Sequence, residues 1–461
     1  MTMIDVVQRI PLSAGSKAER LAERQSTRLT ELVGFVREHS PYYARLYSGL
    51  PEVVTDPAVL PITDKIALME NFDDWATDRE ITRESADTFL KDLDKIGSKY
   101  LGKYSISSTS GTSGYRGIFL MSSEEIATAR KLNALPHVID FLKSEALSGG
   151  VWRLVRGRMR SASILATGGH HILNSLRTQH ERDSGNQPEN GRNKVLSVFQ
   201  PVSELVRELN AFQPVMLNGY GSVASILASE QEKGTLSIRP AIVATTGDGL
   251  PRNEYARIEK VFGARVVDSY GCSEAITMTR YCTHGWHHVL SDWIILEPVD
   301  RHFEPTPPGT LSHTTLLSVL YRKAQPILRY NLGDAVIQRP DPCPCGNPHP
   351  AVRVQGRSAD LLHSPDGEPK TTAALIVESL AARAEGIQQL QLKQSGRYSL
   401  LVRLVPACDR NPEEVWSNAL RVLGQLLVSN GLDGYSVERD TVPPEISAGG
   451  KFRQFIPLSQ R

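Results

Sequence analysis

Residues 214–267 read PVMLNGYGSVASILASEQEKGTLSIRPAIVATTGDGLPRNEYARIEKVFGARVV. The short apolar runs Pro214–Leu217, Ala241–Ala244 and Ala264–Val267 have the length and composition of buried strands. Between them, Val223–Lys233 and Asn253–Phe262 read as helices. This strand–helix alternation predicts an α/β fold with a mainly parallel sheet covered by helices. Ligands bind such sheets beyond the carboxyl ends of the strands, where Thr245–Gly249 and Asp268–Glu274 fall.

Upstream, residues 17–48 are expected to be helical, with Leu29, Leu32, Val33 and Val36 on one face. The tract His180–Lys194 is polar and aperiodic and reads as a mobile surface loop. A boundary is expected near Gly356–Asp360, after the proline-rich stretch Pro340–Pro350. Beyond it come a helix at Ala373–Arg383, strands at Gln388–Lys393 and Tyr398–Val405, a helix at Pro412–Asn430 and a polar tail. The expected organisation is a large N-terminal domain, 1–356, and a small α+β C-terminal domain, 357–461.

The chain has 461 residues, more than one core usually supports. A hydrophobic content of 40%, a charged content of 22% and a net charge of +1 give no electrostatic reason to expect nucleic acid or an anionic membrane as partner. No apolar run approaches the ~18 residues of a membrane span, and Met1–Arg24 lacks a signal-peptide core, so a cytoplasmic location is expected. The cysteine count is odd, 5, which suits reduced thiols or a metal better than a disulfide framework.

Four motifs carry chemistry. Ser107–Gly117, SSTSGTSGYRG, gathers hydroxyls and glycines between apolar stretches. It reads as a phosphate-holding loop or as a Ser/Gly linker, and no Gly-Lys-Ser/Thr ends it. Asp268–Glu274, DSYGCSE, delivers carboxylates at a strand end, where they suit a hard cation or a helix-initiating turn. Ile327–Asp334, ILRYNLGD, presents an Asp that could accept hydrogen bonds from vicinal hydroxyls. Ser447–Arg453, SAGGKFR, places a lysine after two glycines.

In this order, these motifs resemble the adenylate-forming superfamily of acyl-CoA synthetases, adenylation domains and luciferases, over nearly the whole chain. Ser40–Tyr43 (SPYY), Leu60–Lys65 (LPITDK) and the short length look most like its phenylacetate-CoA ligase branch. The resemblance implies that Thr109, Ser110, Gly111, Thr112, Ser113 and Gly114 hold the ATP phosphates. It implies that Gly247, Asp248, Gly249 and Tyr270 border the adenine, that Ser273 touches the α-phosphate and that Glu274 holds Mg²⁺. Asp334 would bind the ribose, with Arg357 nearby at the junction to a mobile C-terminal domain, and Lys451 would bridge carboxylate and α-phosphate. Gly168, Gly169, His170, Tyr220 and Gly271 are candidates for the acyl pocket.

Cys282, His288, Cys343 and Cys345 make a Cys₃His set that suits tetrahedral structural Zn²⁺, against free thiols as the alternative. The resembled branch carries a similar knuckle, and its pattern favours His288 over His287.

Three departures stand out. Gly114–Gly117 lacks the family's Pro and Lys/Thr, with Arg116 as a substitute cation. The hinge carboxylate falls on Ala359, with Asp360 as its replacement. Leu361–Lys370 lacks the glycine-bearing hairpin used for thioester formation. The resemblance therefore implies an ATP-dependent ligase that activates a carboxylic acid, expected to be aromatic, as its acyl-adenylate. The acyl group then passes to coenzyme A, or alternatively to an amine or a carrier-protein thiol. A non-catalytic binding protein on the same fold is the more distant reading.

Overall fold

The computed structural model describes residues 17–109, 116–132, 153–154, 156–167, 169–183, 192–247, 250, 252–357, 360–364, 369–373, 376–377, 380, 383–407, 410–445 and 452–458. Its centre is a five-stranded parallel sheet in the spatial order Asn193–Ser197, Ser161–Leu165, Met216–Tyr220, Ile242–Thr246, Arg265–Ser269. The alternating segment folds as its periodicity predicts, with helices Gly221–Glu232 and Arg252–Phe262 between the last three strands. Leu217, Val243, Val266, Leu227 and Ile258 are buried in the core between sheet and helices.

From Ser161–Leu165 the chain steps outward to Asn193–Ser197, then returns to the other side at Met216–Tyr220. That reversal is a topological switch point, and the crevice beyond the carboxyl ends of its two strands is where such sheets take ligands. Tyr220 is the last residue of one of these strands, and His170 follows the last residue of the other by five positions.

Tyr104–Ser108 pairs antiparallel with Ile118–Ser122, and the hydroxyl-rich segment falls between them in sequence. A four-stranded antiparallel sheet orders Asp334–Gln338, Ala351–Arg357, His287–Val289 and Thr279–Tyr281. A three-stranded sheet orders Ile294–Val299, Thr314–Val319 and Tyr330–Asn331. The expected N-terminal helix is broken: Lys17–His39 ends at Ser40, which caps Pro41–Leu46 by accepting from the Tyr43 amide. Proline at the first helical position starts a new helix rather than continuing the old one. Leu29, Leu32, Val33 and Val36 are buried, as their spacing predicts.

Residues from Leu362 to Phe455 share a further core, in which Leu392, Val402 and Leu423 are fully buried. Here helix Pro412–Ser429 covers a four-stranded sheet, Ser436–Arg439, Ser399–Pro406, Ile387–Gly396, Phe455–Ile456. Three expectations are corrected. The polar tail contributes both outer strands, each pairing in parallel with an inner one. The ends of the tract 180–194 are ordered, in helix Ile172–Asp183 and the edge strand Asn193–Ser197. The segment Leu361–Lys370, expected to lack a hairpin, does begin and end in paired strands: Leu361–His363 pairs antiparallel with Pro369–Thr372.

Candidate active site

The two strands that flank the hydroxyl-rich segment are joined at Thr109 and Gly117. Thr109 N donates to Gly117 O at 2.9 Å, and Gly117 N donates to Thr109 Oγ1 at 2.9 Å. Arg116 donates to Ser108 Oγ at 3.0 Å, so the substitute cation stays beside the turn. Ser110, Gly111, Thr112, Ser113 and Gly114 lie outside the described residues, as do Gly168, Asp248, Gly249 and Lys451. Ser108 N donates to His170 O at 2.9 Å, which joins the hairpin to the switch-point loop.

His170 is buried, and its Nε2 lies 3.0 Å from Asp92 O. A carbonyl only accepts, so Nε2 carries the proton and Nδ1 is an acceptor without a partner among the described residues. Burial pushes the imidazole pKa down, which keeps it neutral. Tyr220 is also buried, whereas Gly219 beside it is structural, because a Cβ there would meet Ile164 O at 2.9 Å. Gly271 is required by its turn: a Cβ would run into the Ile276 carbonyl oxygen.

Tyr270, one residue beyond the last parallel strand, donates to Asp334 Oδ2 at 2.7 Å. Arg357 Nε lies 3.0 Å from Asp334 Oδ1, and its other arm donates to Leu332 O at 3.0 Å. Asp334 is 5% exposed, and its charge is the main reason the Arg357 pKa is raised. Glu274, 6% exposed, accepts from Tyr330 OH at 2.8 Å. Burial, followed by the facing carboxylate, drives both phenol pKa values up, so both remain donors. Arg322, fully buried, donates to Glu274 O at 3.1 Å and to Leu120 O at 2.8 Å.

Tyr330 and Arg322 were not singled out from the sequence. Tyr330 stands inside a quoted motif, while Arg322 carries no local signal.

Asp268 is not available to a cation. It accepts from Thr245 Oγ1 at 2.6 Å and lies 3.3 Å from His287 Nε2. His287 Nδ1 faces Thr279 Oγ1 at 3.2 Å, so its ring is committed to this network. His288 points the other way. Its Nε2 lies 3.1 Å from Cys345 Sγ, its Nδ1 lies 2.9 Å from His349 O, and Cys282 and Cys343 Sγ are 3.8 Å apart. The ligand atoms of Cys282, His288, Cys343 and Cys345 all lie within 4.8 Å of one another. Three thiols and an imidazole fixed through its other nitrogen are a donor set that fits tetrahedral Zn²⁺.

The base of the hydroxyl-rich segment, a switch-point loop and two carboxylate loops thus lie beside one parallel sheet, the arrangement of a ligand site in an α/β fold. The chain is 22% identical over 409 residues to Protein CapK of Staphylococcus aureus, covering 86% of this chain and 80% of that one. It is 28% identical over 164 residues to Phenylacetate-coenzyme A ligase of Thermus thermophilus, covering 33% and 36%. Its fold is similar to 2-Hydroxyisobutyryl-CoA Ligase in the postadenylation state in complex with 2-HIB-AMP, with a TM-score of 0.67, 18% identity and coverage of 97% and 90%. An open conformation of that ligase gives a TM-score of 0.54 at 19% identity, with coverage of 94% and 91%. No family model matches the chain. The expected fold and the resemblance to adenylate-forming ligases, phenylacetate-CoA ligase among them, are borne out. No helix among the described residues is long and apolar enough to cross a membrane.

Proposed function

We propose that the chain is an AMP-forming ligase. It joins a carboxylic acid to ATP as an acyl-adenylate, releases pyrophosphate and passes the acyl group to coenzyme A. The observation that carries this reading is the meeting of the two carboxylate loops beside the last parallel strand. Glu274 and Asp334 are both buried, and each accepts from a tyrosine of the opposite loop.

The chemistry needs this arrangement. Attack of a carboxylate on ATP brings two anions together, so catalysis rests on positioning and on offsetting charge. Asp334 accepts from the ribose hydroxyls beside Arg357, and Tyr270 with Gly247, Asp248 and Gly249 borders the adenine. Thr109, Ser110, Thr112 and Ser113 hold the phosphates, with Gly111 and Gly114 letting the backbone close around them and Ser273 at the α-phosphate. Glu274 offers a hard oxygen donor for Mg²⁺, which supplies positive charge to the phosphates when bound. Lys451 bridges carboxylate and α-phosphate. The acyl group lies at the switch point near Gly168, Gly169, His170, Tyr220 and Gly271, and aromatic acids are the first class to try.

The domain boundary falls at 356/357, and the C-terminal domain rotates there between half-reactions. The antiparallel pair Leu361–His363/Pro369–Thr372 supports coenzyme A as acceptor, since a hairpin at this place is what the thioester half-reaction uses in the resembled family. Cys282, His288, Cys343 and Cys345 hold a structural Zn²⁺ that ties the loop after Glu274 to the one after Asp334. The reading carries with it a cytoplasmic location, where ATP and coenzyme A are both supplied.

Mass spectrometry after incubation with ATP, Mg²⁺, coenzyme A and a panel of aromatic and aliphatic acids tests the reading. AMP together with an acyl-CoA is expected. AMP without acyl-CoA overturns the acceptor, and no AMP with any acid overturns the ligase.

A further inference from the structure

Tyr270 and Glu274 stand four positions apart on one loop, and Tyr330 and Asp334 stand four apart on the other. Each phenol crosses to the other loop's carboxylate: Tyr270 OH to Asp334 Oδ2 at 2.7 Å, and Tyr330 OH to Glu274 Oε1 at 2.8 Å. The two bonds form a closed brace between the loops.

The brace is itself held from behind. Thr63 clasps the Tyr330 strand, donating from its amide to Arg329 O at 3.1 Å and accepting from Asn331 N at 2.7 Å. Thr63 Oγ1 also donates to Leu328 O at 3.0 Å. On the opposite edge, Tyr330 pairs with Leu317. The backbone of Glu274 is pinned separately by Arg322. Tyr330, 2% exposed, therefore has no freedom to follow a wandering carboxylate. A carboxylate so held has lost its rotamer entropy before any ligand arrives.

We infer that Tyr330 is a positioning residue that pre-sets Glu274 for the metal subsite, and that the Tyr270 hydroxyl does the same for Asp334 at the ribose subsite. The inference rests on the roles proposed above for Glu274 and Asp334. Its consequence is a division of labour between two chemically identical groups. Loss of the Tyr330 hydroxyl should weaken only the metal-dependent part of nucleotide binding. Loss of the Tyr270 hydroxyl should weaken nucleotide binding whether or not metal is present.

Calorimetric titration of the full chain with ATP, with and without added Mg²⁺, reads both parts without turnover. Wild-type protein should bind ATP more tightly with Mg²⁺. Tyr330→Phe should lose about tenfold of that gain, the scale of one hydrogen bond to a charged group, and keep its metal-free affinity within about twofold. Tyr270→Phe should lose affinity equally in both titrations. In the background of Glu274→Gln, which should itself abolish the metal-dependent gain, Tyr330→Phe should add nothing.

The brace is overturned if Tyr330→Phe keeps the full gain, or if it loses affinity equally with and without Mg²⁺, as a purely structural residue would. A wild-type protein that binds ATP without any metal-dependent gain overturns Glu274 as the metal-holding group, and the metal half of the brace with it. That outcome leaves the Tyr270–Asp334 half to stand or fall on its own titration.

Discussion

Asp360 and Arg453 meet at 3.2 Å although 93 positions separate them in the chain. The ion pair joins the residue proposed as hinge carboxylate to the segment that follows Lys451. Asp360 is nonetheless raised to about 6, because the cost of burial outweighs the attraction of Arg453 and Arg357.

A carboxyl with a raised folded-state pKa binds its proton more tightly in the folded than in the unfolded chain. Its contribution to stability is full below the unfolded value, about 4, and is lost as pH rises through about 6. Asp360→Asn should therefore flatten the fall in stability between pH 4 and 6, a difference of about 2–3 kcal/mol. Denaturant unfolding of both proteins at the two ends of that window checks this, and identical profiles would contradict it.

Asp334→Ala removes the acceptor for Tyr270 and the partner of Arg357. It should raise the KM for ATP ten- to a hundredfold, the scale of one to two hydrogen bonds to a charged group. Steady-state kinetics with ATP varied is the measurement, and an unchanged KM would remove Asp334 from the nucleotide site.

Elemental analysis of purified protein should find one Zn²⁺ per chain. A strong chelator should lower the melting temperature by several degrees, and added Zn²⁺ should restore it. Cys345→Ser should lose metal, whereas Thr283→Ala, close in sequence but outside the donor set, should not. Metal-free protein with an unchanged melting temperature would show the cluster to be plain thiols.

Gln391 is fully buried and binds backbone at both Glu445 and Arg453. Its Nε2 donates to Glu445 O at 3.0 Å and to Arg453 O at 2.8 Å. Its Oε1 accepts from Glu445 N at 3.2 Å and from Arg403 at 3.1 Å. Gln391→Leu strands these groups and should cost about 2–3 kcal/mol in denaturant unfolding. A loss below about 0.5 kcal/mol would mean that water replaces the amide without penalty.

The parallel sheet was legible because buried strands and covering helices have different periods, and 214–267 shows both. The spatial order of its strands was not, since pairing across the switch point is non-local. The carboxylates Glu274 and Asp334 could be read from their motifs. The bracing role of the phenols could not: Tyr270 reads only as a neighbour of the adenine, and Tyr330, in an apolar run, looks like core until its hydroxyl has a partner. The strand pair Leu361–His363/Pro369–Thr372 has a turn signal in Asp366-Gly367, but its strands are three and four residues long, too short to show alternation. The outer strands of the C-terminal sheet were missed because Ser436–Arg439 and Phe455–Ile456 are too short to show alternation.

Pyrophosphate exchange into ATP isolates the adenylation step from any acceptor and asks the central question directly. With Mg²⁺ and one acid of a broad panel, wild-type protein should exchange label, and Lys451→Ala should lose exchange while keeping its fold and its metal. Folded protein that binds ATP yet exchanges label with no acid would contradict an adenylate-forming ligase.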